Sequence, residues 1–281
     1  MRTNRKKRTG KKKGRVLLIL VCGALFFIAP YLIVRGSGAA KPASRRVPAS
    51  ASSATLSDPF PLLSLEQRVN GMQANGMVSL RLIDIYHSTS VTDWALLGKN
   101  IDGIYMKATE GTTFIDADYR NFAAAAKAHG MPFGFYHYFW PQKNAGDAAR
   151  QADAFYNAIH GISYDFRPAL DVEETNGQTA ETIAANVNAF AAEFEKLTKQ
   201  RIMLYCSPSF ADRYLGDQSM AAYPLWIANY QVNDPKQTMV WKTFDVWQYG
   251  VSTVVPGVSG RVDTDVATNA IYLDANAAPR E

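Results

Sequence analysis

From residue 80 onward, short apolar runs alternate with helical stretches, and this alternation constrains the fold more than any other feature of the chain. The runs are 80–86 (LRLIDIY), 103–108 (GIYMKA), 132–139 (PFGFYHYF), 167–172 (RPALDV), 201–206, 225–230 and 244–249, with a short last one near Val262. Several are bounded by Gly or Pro, and all have the length of buried strands. Between them, residues 118–129 are alanine-rich and stop at Gly130, and residues 144–160 open on the capping residue Asn144 and stop at Gly161. Residues 179–199 place Ile183, Val187, Phe190 and Phe194 on one helical face. Ser207 followed by Pro208 reads as a cap with proline at the first helical position. Repeated strand–helix units mean an α/β fold. Helical signal fades after residue 216 while strand signal continues, which predicts a β/α barrel that loses its helices in its last third.

In such a barrel the functional side chains sit at the C-terminal ends of the strands. Acids and aromatics fall there: Asp84 and Tyr86; Lys107 and Glu110; Tyr136, His137 and Tyr138; Asp171, Glu173 and Glu174; Tyr205; Trp226, Asn229 and Tyr230; Trp247, Gln248 and Tyr249; Asp263 and Asp265. The sharpest segment is ALDVEE. Strand side chains alternate, so Asp171 and Glu173 share a face with Cα atoms about 7 Å apart, while Leu170 and Val172 face apolar packing. Two neighbouring carboxyls cannot both ionise freely, so one is raised and becomes an acid able to protonate a glycosidic oxygen. Judged one at a time these residues also fit blander readings: Asp84 as a turn cap, Asp263 and Asp265 as surface acids, His137 as a hydrogen-bonded core histidine, Glu110 as the partner of Lys107. Four widely spaced histidines give no metal-ligand pattern. Ser207 lacks a His–Asp partner and a G-x-S-x-G context, so nothing supports a serine hydrolase.

The 281 residues suit one barrel-sized domain with an appendage. The net charge of +5 misleads, because residues 1–57 hold 13 Lys or Arg and no acid. The rest of the chain carries 17 basic against 25 acidic residues, so nucleic acid is not an expected partner. Nine of the basic residues lie in positions 1–15, ahead of 19 uncharged residues from Val16 to Val34. That length spans a bilayer core, and the basic flank should remain in the cytoplasm. The expected layout is a basic tail (1–15), a transmembrane signal anchor (16–35), a linker and lead-in rich in Ser, Ala, Gly and Pro (36–78), and the barrel (79–281) outside the cytoplasm. A cleaved signal with residues 38–40 at its cut site is the alternative, giving a secreted protein. A short helix is possible around residues 63–70. Cys22 and Cys206 are not expected to pair, and a lipoprotein reading of Cys22 is poor because Val21 precedes it and the apolar run continues past it.

Taken in order, LIDIYH, GIYMKATEGTTFID, YHYF, PALDVEE, LYCSP, LWIANY, VWQYG and GVSGRVDTD resemble glycoside hydrolase family 25, the Chalaropsis-type lysozymes. The likeness covers residues 80–268, and KATEG followed by DVE is its specific part. It implies a flattened TIM-like barrel of five β/α units followed by three strands, and an N-acetylmuramidase acting on peptidoglycan glycan strands as a monomer without cofactor or metal. Glu173 resembles the family's general acid, and Asp171 the partner that holds the substrate acetamido group or stabilises the anomeric carbon. Asp84 and Asp263 resemble the flanking groove acids, Asp263 matching better than Asp265. Tyr136, Tyr205, Trp226 and Tyr230 would shape the sugar sites, with Asp265 and Gln248 as further substrate-binding residues. A protein nucleophile and the substrate's own acetamido oxygen both stay open. Tyr86 departs from the family, standing where it has a small serine. Two rivals are a chitinase-like barrel, whose D-x-x-D-x-D-x-E motif meets Phe166 and Ala169 here, and a non-catalytic glycan-binding module, which would need no acid pair.

Overall fold

The computed structural model describes residues 71–274. Eight strands close a barrel in sequence order: β1 (Val78–Ile85), β2 (Gly103–Glu110), β3 (Phe133–Tyr138), β4 (Ala169–Asp171), β5 (Met203–Cys206), β6 (Leu225–Ala228), β7 (Val246–Thr253) and β8 (Val262–Thr268). Strands β1 to β7 run parallel, and β8 lies antiparallel between β7 and β1, sealing the barrel. Five helices follow the first five strands: α1 (Trp94–Leu97), α2 (Tyr119–Ala128), α3 (Ala145–Ile159), α4 (Ala180–Thr198) and α5 (Pro208–Tyr214). Beyond α5 the described residues form only short 3-10 turns between strands. The sequence-based boundaries of α2, α3 and α4 hold to within two residues. The last strand, expected to be short, has seven residues, and β7 runs four residues past the expected Tyr249.

Helix ends are capped as the sequence indicates. Asn144 accepts from the Gly146 amide, Thr179 from Thr182 and Ser207 from Phe210, each satisfying a first-turn N–H. Alternation along each strand sends one set of side chains outward against the helices and the other into the barrel. The outer layer includes Ile83, Ile104, Phe135, Leu170, Leu204, Phe155, Phe190 and Phe194. The barrel interior holds Leu80, Leu82, Tyr105, Phe166, Met203, Trp226 and Tyr272. Trp226 sits at its centre, 4.7 Å from the Tyr105 ring and 5.2 Å from Tyr205. Gly134 makes room for this filling: a Cβ there would lie 2.7 Å from the Tyr105 ring and 2.8 Å from Phe166. The floor is thus packed shut, and the barrel opens only at the end where the parallel strands finish.

The proposed anchor at 16–35, residues 36–70 of the linker and lead-in, the helix near 63–70 and Cys22 lie outside the described residues, whereas residues 71–78 belong to the folded part, with Met72 buried and Gln73–Ala74 paired with Thr243–Phe244. Among those described, no helix is long and apolar enough to cross a membrane. Cys206 is a buried free thiol whose ionisation burial opposes.

Candidate active site

The open end of the barrel gathers four acids from three strands. Asp84 comes from β1 and Asp171 from the last residue of β4. Glu173 lies two residues past that strand, at the solvent-exposed lip. Asp263 is the second residue of β8 and pairs directly with Asp84. Because β8 runs against the others, its beginning lies where they end. That is why a residue near a strand start joins residues from strand ends.

These carboxyls share one field. Asp171 is pushed well above the ordinary carboxylate range, first by burial and then by Glu173, with Lys107 opposing. Glu173 is raised by desolvation against the groove wall; the Tyr138 hydrogen bond and Lys107 lower it, and Glu174 raises it. Asp263 is raised to about 6 by burial and Glu173. Burial and then Asp263 raise Asp84 well above its usual range. Oδ1 of Asp171 is buried and has no donor among the described residues.

Lys107 is the cation beside the cluster. A register shift between Lys107 and Thr109 in the β2–β3 pairing sets Lys107 opposite Tyr136 and Thr109 opposite His137. Lys107 shares the inward face of Tyr105 and so turns to the groove, where Nζ binds Glu110 at 2.6 Å and lies 4.5 Å from the Tyr138 ring centre. The Tyr138 hydroxyl donates to Glu174 at 3.4 Å and lies beside Glu173. Gly111, with φ of 54°, turns the chain into a short flap whose Phe114 pairs back with Glu110. Tyr86, Phe114, Ile115 and Trp140 stand exposed on β1, this flap and the end of β3.

Beneath the groove lies a second polar layer. Gln248 donates to Asp84 at 2.6 Å, and its carbonyl accepts the hydroxyls of Tyr205 (2.8 Å) and Tyr230. The Trp226 indole N–H donates to Asp265 at 2.8 Å.

A family model described as "Glycosyl hydrolases family 25" matches residues 83–258, which carry most of this constellation. The chain belongs to glycosyl hydrolases family 25. Within the family, it is 35% identical over 192 residues to the autolytic lysozyme of Clostridium acetobutylicum, an alignment covering 68% of this chain and 56% of that one. This chain therefore spans little more than half the length of that relative. Among solved structures, the spore cortex lytic enzyme SleM of Clostridium perfringens superposes with a TM-score of 0.65 at 27% identity, over 71% of this chain and 70% of that chain. A bacterial lysozyme from Streptomyces coelicolor gives 0.61 at 26% identity, over 66% and 91%.

Set against the sequence-based expectations for this family 25 barrel, Asp84, Asp171, Glu173 and Asp263 come together at one end. Tyr136, Tyr205 and Tyr230 line the interior just below them. Trp226, Gln248 and Asp265 lie deeper: Asp265 is 0% exposed and the other two 2%, so they sit under the groove rather than in it. Period-two alternation cannot report depth along a barrel axis. Lys107 and Tyr138, which touch the acids, were not among the expected site residues. Their signal was the same strand-end position that singled out Tyr136. His137 is core, as its aromatic surroundings indicate. Gln151 Oε1 already accepts the Trp140 amide, so His137 Nε2 carries the proton, and Nδ1 accepts from Thr109 at 2.7 Å. Burial lowers its pKa to about 4, so it is neutral.

Proposed function

We propose that this protein is a lysozyme that hydrolyses the β-1,4 bond from N-acetylmuramic acid to N-acetylglucosamine in peptidoglycan, with Glu173 as general acid. The observation that carries this reading is the Asp171–Glu173 pair at the open end of a family 25 barrel, with Glu173 raised and at the lip. A raised carboxyl keeps its proton to higher pH than an ordinary one and can deliver it to a glycosidic oxygen. Asp171 faces the sugar that develops positive charge, and Lys107 opposes the rise that burial and Glu173 impose on it. Its buried, unpartnered Oδ1 is an acceptor suited to an acetamido N–H. Asp84 and Asp263 extend the negative field along the groove. The relatives named for lysozyme and cortex-lytic activity support the same substrate class.

The N-terminal residues fit a tether. Nine basic residues ahead of a 19-residue uncharged run favour a signal anchor over a cleaved leader, with the barrel outside the cytoplasm at the end of the linker. A tethered muramidase reaches only nearby wall. Cell fractionation tests this: full-length chain recovered only in soluble extracellular fractions excludes the tether.

The reaction is tested by digesting purified peptidoglycan, reducing with borohydride and identifying the new ends by mass spectrometry. Reduced muramic acid ends are expected. Reduced glucosamine ends would contradict the bond assignment, and no new ends from folded protein would leave a glycan-binding barrel.

A further inference from the structure

Asp265 does no work in the mechanism above, yet it is a carboxyl sealed inside the barrel. It lies opposite Gln248 on β7 and opposite Leu82 on β1, one same-face step below Asp263 and diagonal to Asp84. Oδ1 takes the Trp226 indole N–H at 2.8 Å, while Oδ2 is buried and receives no N–H or hydroxyl from the described residues. What faces it is another carboxyl: Asp84, held diagonally across the strand pair, lies close enough for one acid to bond the other once it is protonated. Two carboxylates cannot make that bond; one must carry a proton.

The surrounding bonds decide which. The Gln248 carbonyl accepts two tyrosine hydroxyls, and its amide N–H donates to Asp84 Oδ2. Asp84 is therefore the acceptor of this layer. The titratable groups facing Asp265 are Asp84, Asp263, Tyr105 and Tyr230. Burial raises both acids, and the bond between them lowers Asp84 and raises Asp265.

We infer that Asp265 is a positioning residue: as a neutral carboxylic acid anchored by Trp226, it donates its proton to Asp84 and, with the Gln248 amide, fixes that groove carboxylate in one orientation. The inference rests on the muramidase reading for its effect on catalysis, but not for its protonation state. An asparagine reproduces the neutral acid at 265, since its carbonyl accepts from Trp226 and its amide donates to Asp84. A leucine reproduces only the bulk.

The test takes the full chain as wild type, Asp265→Asn and Asp265→Leu, with 13C-labelled aspartate carboxyls followed by NMR and with kcat and KM on peptidoglycan across pH. At neutral pH one protonated aspartate resonance that disappears in Asp265→Asn is expected. So is activity of Asp265→Asn within about threefold of wild type, with its high-pH limb moved upward because an amide cannot lose the proton. Asp265→Leu should lose kcat by about a hundredfold, since a misdirected groove acid costs on that order. An Asp265 resonance in the ionised position at neutral pH overturns the inference whether or not the enzyme cuts peptidoglycan. So does an Asp265→Asn as inactive as Asp265→Leu when both keep the wild-type melting transition. Wild type that is inactive but shows the protonated resonance would count against the muramidase reading and not against the proton assignment.

Discussion

Each groove carboxyl is set by what one neighbouring side chain does to it. Lys107 opposes the rise of both Asp171 and Glu173. Removing its charge therefore raises both acids. Glu173 would then keep its proton to higher pH, and Asp171 would also ionise at higher pH. The kcat/KM profile of Lys107→Met should move as a whole to higher pH by about one unit, the scale of a single charge at a partly solvated groove. A move to lower pH would contradict the assignment. Placement at this scale was readable where residue type is decisive: DVE put two carboxyls at one strand end, and LIDIY put one acid in an apolar strand. Depth was not readable. Asp263 and Asp265 are both acids on one face of one strand, and only barrel closure shows the first near the groove and the second sealed below it.

Among the elements, β2, β3 and α3 are locked together by a polar chain. His137 joins Thr109 of β2 to Gln151 of α3, and Gln151 also holds the Trp140 amide and carbonyl and Asp147. His137→Leu should lower unfolding stability by about 2 kcal/mol, because it strands buried partners on both sides, and should leave the pH optimum unchanged. Denaturant titration and a pH–rate profile check the two halves; a shifted optimum would give His137 a catalytic part. The elements themselves were legible from periodicity and caps, as α4 shows with Thr179 and its Phe190–Phe194 face. The short α1 and the Phe114 flap were not, since four residues and two residues carry too little pattern to register. The register shift that sends Thr109 outward to His137 belongs to strand pairing and leaves no mark on either strand alone.

For the whole molecule, gathering Asp84, Asp171, Glu173, Asp263 and Asp265 at and below one mouth opposes stability. A carboxyl whose pKa is higher folded than unfolded contributes most below its unfolded pKa, and that contribution is lost as pH rises through the folded value. For Asp263 the window runs from the ordinary 3.8 to about 6. The melting temperature should therefore fall between about pH 4 and pH 6, and Asp263→Asn should flatten that fall. Calorimetry across this range would contradict the account if the substitution steepened it. The cluster persists because the fold is closed beneath it: a filled interior, an antiparallel sealing strand and an outer helical layer hold the acids at the mouth.

The central claim is that Glu173 delivers the proton that breaks the glycosidic bond, and the most direct measurement compares wild type with Glu173→Gln on insoluble peptidoglycan. Release of new reducing ends and co-sedimentation with the wall are followed in the same samples. Glu173→Gln should bind the wall as wild type does and lose about 10²–10⁴-fold in rate, the range that general acid catalysis supplies. A Glu173→Gln protein that still cuts at a rate near wild type would contradict the account.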